Sequence, residues 1–177
     1  MINPKNIEEE FSSQCISKTA PKFWLLLTNF IIYFIKVNLI NSTKVALHCG
    51  RNTVYLKDMN FVNELINSKD IKIDFPIEGG SRKSSVKSMD LRKKSIPDTM
   101  VKRDTGKISK KEFLETCHEL LKMEFDSKVK NINLDNKFVN TLQKNSESLA
   151  EIIVNNANHS CEKVMDEKTF YKIIQLA

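Results

Sequence analysis

The chain has 177 residues, a hydrophobic fraction of 41% and a formal net charge of +6. That length allows one compact domain or two small ones, and the apolar content is enough to build a core. Four cysteines (Cys15, Cys49, Cys117, Cys161) match no CxxC spacing, which argues against a disulfide scaffold and for reduced thiols in an intracellular or intravirion protein.

Chemistry-bearing motifs are missing from the sequence. There are three scattered histidines and no GxSxG, no Gly-rich phosphate loop and no HExxH. No enzyme, cofactor or small-molecule substrate is therefore expected. His48–Cys49, Cys117–His118 and His159/Cys161 recur as His/Cys pairs. Structural zinc ligands come in tighter sets, so these read as small side chains near helix ends and no metal is expected.

In chain order, residues 5–15 predict a short first helix carrying Glu8, Glu9 and Glu10, followed by a loop, ISKTA. Pro21 suits the first turn of a long helix, 21–49, which Gly50 ends. Its stretch FWLLLTNFIIYFI, 23–35, is only 13 residues between Lys22 and Lys36. A membrane span needs about 20 residues, so this is expected to be a helix buried on nearly all sides rather than a membrane anchor. RNTVYL is a loop of β-branched character. A third helix starts near Lys57, with Asp58 in its first turn and Met59, Phe61, Val62, Leu65 and Ile66 along one face. IKIDF, 71–75, alternates as a short strand.

Residues 78–107 hold the paired glycines, several serines and most of the basic excess. From Gly79 to Lys111 there are eleven Lys and Arg against three Asp, a local charge of +8 that leaves −2 for the rest of the chain. This reads as a flexible basic linker. The expected organisation is a first folded unit at 1–77, the linker at 78–107 and a second folded unit at 108–177.

The second unit repeats the plan. A helix over 109–124 presents Phe113, Cys117, Leu120, Leu121 and Met123. A long helix from about Leu134 to Glu162 carries a stripe of Leu134, Phe138, Leu142, Leu149, Ile152, Ile153, Ala157 and Cys161. Asp166 is placed to N-cap a last helix, 167–177. Each long helix is too apolar and too long for its own unit to cover. The two are expected to cross antiparallel and bury each other.

The short–long–short helices, with HxxRxTVxxxD after the first long one (His48, Arg51, Thr53, Val54, Asp58), resemble the histone fold. The first copy resembles histone four. In the second, LQKNSESL (142–149) and KIIQLA (172–177) resemble histone three, with Asp166, Lys168 and Ile173 where the motif's Arg, Thr and Asp would fall. The whole chain thus resembles a viral histone doublet. The resemblance implies an all-α protein of two tandem histone folds in an intramolecular handshake pseudo-dimer. Arg51, Asp58 and His48 are its expected structural residues, with an Arg51–Asp58 ion pair pinning loop to helix.

It also implies nonspecific binding of double-stranded DNA by phosphate contacts in a nucleosome-like particle, in a nucleus or virion. The candidate contacts on the folded parts are Lys18, Lys22, Arg51, Thr53, Lys128, Lys130 and Lys163. Those on the linker are Arg82, Lys83, Arg92, Lys93, Lys94, Lys102 and Arg103. Expected partners are DNA and other histone-fold proteins, or further copies of the doublet. The acidic first helix, the −2 charge of the chain outside 79–111 and the apolar long helix support an alternative. In that reading the chain is a histone-fold interaction module in transcription, kinetochore or virion assembly, with little DNA affinity.

Overall fold

The structure, a computed structural model, describes residues 1–67, 106–125, 132–160 and 164–176. The strand expected at 71–75, all but the last two residues of the 78–107 linker, and Cys161 lie outside these residues.

The described residues are all-α: six helices joined by two-residue strands. Helix α1 (Pro4–Phe11) opens with Pro4 in its first turn and Asn3 as N-cap, whose Oδ1 accepts from Lys5 N–H at 3.0 Å. It ends earlier than the sequence predicts, turning into a 3-10 segment at Ser12–Gln14. Serines favour local turn bonding over helix interiors. Strand β1 (Lys18–Thr19) leads into α2 (Pro21–His48). Strand β2 (Thr53–Val54) leads into α3 (Leu56–Asn67). The second unit supplies α4 (Lys110–Phe125), β3 (Asn133–Leu134), α5 (Asn136–Ser160), β4 (Val164–Met165) and α6 (Glu167–Leu176). Leu134 is thus a strand residue, because its backbone pairs with Val54. The long helix starts two residues later, under the carboxylate of Asp135, which accepts from Lys137 N–H at 3.0 Å.

Two parallel bridges tie the units together. Strand β1, before α2, pairs with β4, after α5 (Lys18 with Val164, Thr19 with Met165). Strand β2, after α2, pairs with β3, before α5 (Thr53 with Asn133, Val54 with Leu134). The start of each long helix therefore lies by the end of the other, so α2 and α5 run in opposite senses where they pack. By rise per residue they are about 42 and 37 Å long. The strands also correct a correspondence made from sequence. Val164 is the counterpart of Thr53, so Asp166 matches Tyr55 and Thr169 matches Asp58. The expected matches of Asp166, Lys168 and Ile173 to Arg51, Thr53 and Asp58 are displaced by four residues.

The core is shared. Phe23, Trp24, Leu27, Ile31, Ile35 and Leu39 of α2 are buried together with Phe113, Phe138, Leu142, Val154 and Phe170. Each such side chain contributes about 1.5–3 kcal/mol by leaving water. The ring of Phe170 on α6 meets Phe23 and Phe30 of α2 edge to face, at 6.0 and 6.1 Å between centroids. Thr28 is tolerated inside because its hydroxyl donates to the Trp24 carbonyl at 2.8 Å, and Thr43 likewise to Leu39 at 2.7 Å. These are local bonds that satisfy a hydroxyl without a tertiary partner.

Helix α2 is the one helix among the described residues long and apolar enough to cross a membrane, and half of its most apolar window is buried inside the fold. Burial is less complete than its composition predicts: Leu25 and Tyr33 are 46% and 63% exposed. Four other residues assigned to buried stripes also face solvent: Phe61, Ile66, Met123 and Ile152. Helical spacing places a residue near a face. Whether a neighbour reaches it depends on where the short helices end.

Candidate nucleic-acid interface

The motif after α2 is built by the way that helix stops. Gly50 sits at φ 69°, a left-handed conformation that costs glycine little. Its N–H donates to Leu47 C=O at 2.9 Å, and Arg51 N–H donates to Ala46 C=O at 3.0 Å. This paired closure satisfies the last carbonyls and sends Arg51 back across the loop. Its Nη1 and Nη2 donate to Asp58 Oδ2 and Oδ1 at 3.0 and 2.6 Å. Nη1 also donates to Thr53 C=O at 3.2 Å. Asp58 stands in the first turn of α3 and accepts from Tyr55 N–H at 2.8 Å. The carboxylate thus reaches back to the residue before the helix, as in a capping box. The Tyr55 ring lies under two cations, 5.5 Å from the Arg51 guanidinium carbon and 5.6 Å from Lys57 Nζ.

Asp58 is 2% exposed. Burial by itself pushes its carboxyl pKa up. The Arg51 hydrogen bonds, the Tyr55 N–H and the charges of Arg51 and Lys57 outweigh that and hold it below the ordinary value. The hydrogen bond to Asp58, followed by one involving Cys49, raises the pKa of Arg51. A bidentate pair with one member buried fixes the loop geometry.

The sequence-derived cations separate into two groups. Lys18, on β1, and Lys22, in the first turn of α2, lie at one end of that helix and are both exposed. The adjoining strand is β4, and Lys22 pairs with Glu167 at the start of α6. Arg51 and Thr53 lie at the other end, against Asn133. Arg51 is partly buried and committed to Asp58 and Thr53. His48 is exposed in the last turn of α2. Lys128, Lys130, Lys163, Arg82, Lys83, Arg92, Lys93, Lys94, Lys102 and Arg103 lie outside the described residues. Two exposed cations missed by sequence reasoning, Lys57 and Lys137, stand in the first turns of α3 and α5 beside the second bridge. Their position directly after a strand was the available signal.

The two long helices differ in their openings. Ala20 provides no side-chain cap for α2, Pro21 has no N–H, and Phe23 N–H donates to Ala20 C=O at 2.9 Å, which leaves Lys22 N–H as the first-turn donor for an anion. At α5 the Asp135 carboxylate already accepts from Lys137 and Phe138 N–H. Comparison with protein-family models, curated proteins and solved structures found no match.

Proposed function

We propose that this chain is a DNA-packaging protein of two tandem histone folds, 1–77 and 108–177, joined by the basic segment 78–107. It binds double-stranded DNA without sequence preference, through phosphates, in a nucleus or virion. The observation that carries the reading is the reciprocal bridging of loops. Each end of the α2–α5 pair joins a loop before one long helix to a loop after the other. Such an arrangement offers two rigid anion-facing ends on one molecule, suited to successive turns of a duplex. Each end sets cations beside a capping carboxylate: Lys18 and Lys22 stand near Asp166 and Glu167, the latter paired with Lys22, and Lys57 and Lys137 stand near Asp135. Micrococcal nuclease digestion of the protein reconstituted on a long duplex tests this. A discrete protected length is the expected result, and a smear identical to naked DNA rejects it.

A second reading is favoured by the exposed Leu25 and Tyr33 on α2 and by the acidic run Glu8–Glu10. In it the same fold serves protein contacts, with DNA affinity confined to the linker.

A further inference from the structure

Gly106–Ile108, separated from α4 by Ser109, are fastened on one face of α5 by side chains four residues apart: Gln143, Glu147 and Glu151. Gln143 Nε2 donates to Ile108 C=O at 2.6 Å, and Ile108 N–H donates to Glu147 Oε1 at 2.9 Å. Lys107 Nζ donates to Glu151 Oε1 at 2.6 Å. Gln143 Nε2 also reaches Glu147 Oε1 at 3.3 Å, which braces the two receiving groups. Spacing of four residues stacks the three side chains along the helix. Two of the bonds take both polar groups of one peptide residue, as a strand edge would, and Ile108 itself is buried.

Lys107 also reaches α1. Lys107 Nζ lies 4.9 Å from the centroid of the fully buried Phe11 ring, so one ammonium joins α5 to α1. A side chain at Gly106 would displace the ends of Gln143 and Glu147. A Cβ there would stand 2.4 Å from Gln143 Nε2 and 2.9 Å from Glu147 Oε1. Those are the atoms that hold Ile108, so making room for a side chain releases the bonds.

We infer that Gly106–Ile108 act as a latch, closed on the Gln143–Glu147–Glu151 ladder, whose opening frees α1 from the fold while the α2–α5 core stays intact. Helix α1 is the element suited to such release. It is only 8 residues long, too short to persist alone. Ile2, Ile7 and Phe11 hold it in the shared core, chiefly against α2, and its polar ties to α4 are Glu112, which accepts from Asn3 N–H and Asn6 Nδ2 at 2.6 and 2.9 Å, and Glu119, which pairs with the N-terminal ammonium at 3.1 Å. Opening uncovers Ile7 and Phe11, an apolar face now buried.

Hydrogen–deuterium exchange of the full chain, read by peptide, tests the latch in Gly106→Val and Lys107→Gln. In both variants the amides of Ile7–Phe11 should exchange roughly tenfold faster, the effect of losing one or two hydrogen bonds. Central amides of α2 and α5 should keep their protection. Unchanged α1 exchange in Lys107→Gln overturns the latch, even if Gly106→Val fails to fold. So does a rise in α6 equal to that in α1, which would mean that the whole fold is loosened.

Discussion

Arg51 and Asp58 meet through two hydrogen bonds, 3.0 and 2.6 Å, with the carboxylate buried and the guanidinium at the surface. Removing the carboxylate strands a cation that water still reaches. It also strands the Tyr55 N–H. Asp58→Ala should therefore lower stability by about 1–3 kcal/mol, below the loss for a fully buried pair. The urea midpoint measures it, and an unchanged midpoint would show that the pair only decorates the loop.

The pair also sets a pH dependence. The folded state holds the Asp58 carboxyl below its ordinary value of 3.8. A depressed carboxyl stabilises the fold above the unfolded value, and the contribution disappears as pH falls through the folded one. The stability gap between the parent and Asp58→Asn should be constant from pH 7 to about 5 and shrink below about pH 4. A gap that widens on acidification would contradict the sign.

Thiol reactivity should rank by burial. Cys117 is fully buried, and burial pushes its pKa up to about 12. Cys49 is exposed at the end of α2. Peptide mapping after iodoacetamide treatment near pH 8 should find Cys49 carbamidomethylated early. Cys117 should react only as fast as the chain unfolds, since the thiolate is the nucleophile. Equal rates at the two sites would mean that α4 detaches readily.

Salt dependence separates linker from fold. If about six cations of the +8 segment contact phosphates, log K should fall with log salt at a slope of about −5. Neutralising Arg82, Lys83, Arg92, Lys93, Lys94, Lys102 and Arg103 should flatten that slope. Lys18→Gln with Lys22→Gln should change it little yet abolish the discrete nuclease-protected length. Parent-like protection in both variants would favour the protein-contact reading. Arg51 is unsuited to this comparison, because its loss also disturbs Asp58.

Cleaving the chain within the linker should not separate the units. With a protease site inserted between residues 85 and 95, the cut halves should co-elute in gel filtration and part only in denaturant. Rings of α6 pack on α2 and two bridges join the loops. Halves that elute apart would mean that the shared core is too weak to hold them.

Local signals were legible in the sequence. Pro21, Gly50 and Asp166 mark helix ends through their own backbone chemistry, and each does so here. Residue type alone marks Asp58 as a first-turn residue, and the resemblance to the histone motif sets Arg51 opposite it. Tertiary partners were less legible. That Leu134 forms a bridge instead of starting a helix depends on Val54, a residue of the other unit. In the sequence Gln143 and Glu147 are legible only as part of a resemblance and Glu151 not at all, because all three gain their roles from Gly106–Ile108. Exposed Ile152 and Met123 lie on apolar stripes whose width the sequence overstates.

The loop bridges also have a consequence for synthesis. Each joins residues from opposite ends of translation: Lys18 waits for Val164 and Thr53 for Asn133. Helix α2 leaves the ribosome roughly 110 residues before α5 is complete, which at about 5–20 residues per second is several to some twenty seconds. Through that interval Phe23, Trp24, Leu27, Ile31, Ile35 and Leu39 have α1 and α3 beside them but lack the cover that α4, α5 and α6 complete. A nascent chain stalled before Asn136 should therefore be a strong client of ribosome-associated chaperones, and one extended past Ala177 a weak one.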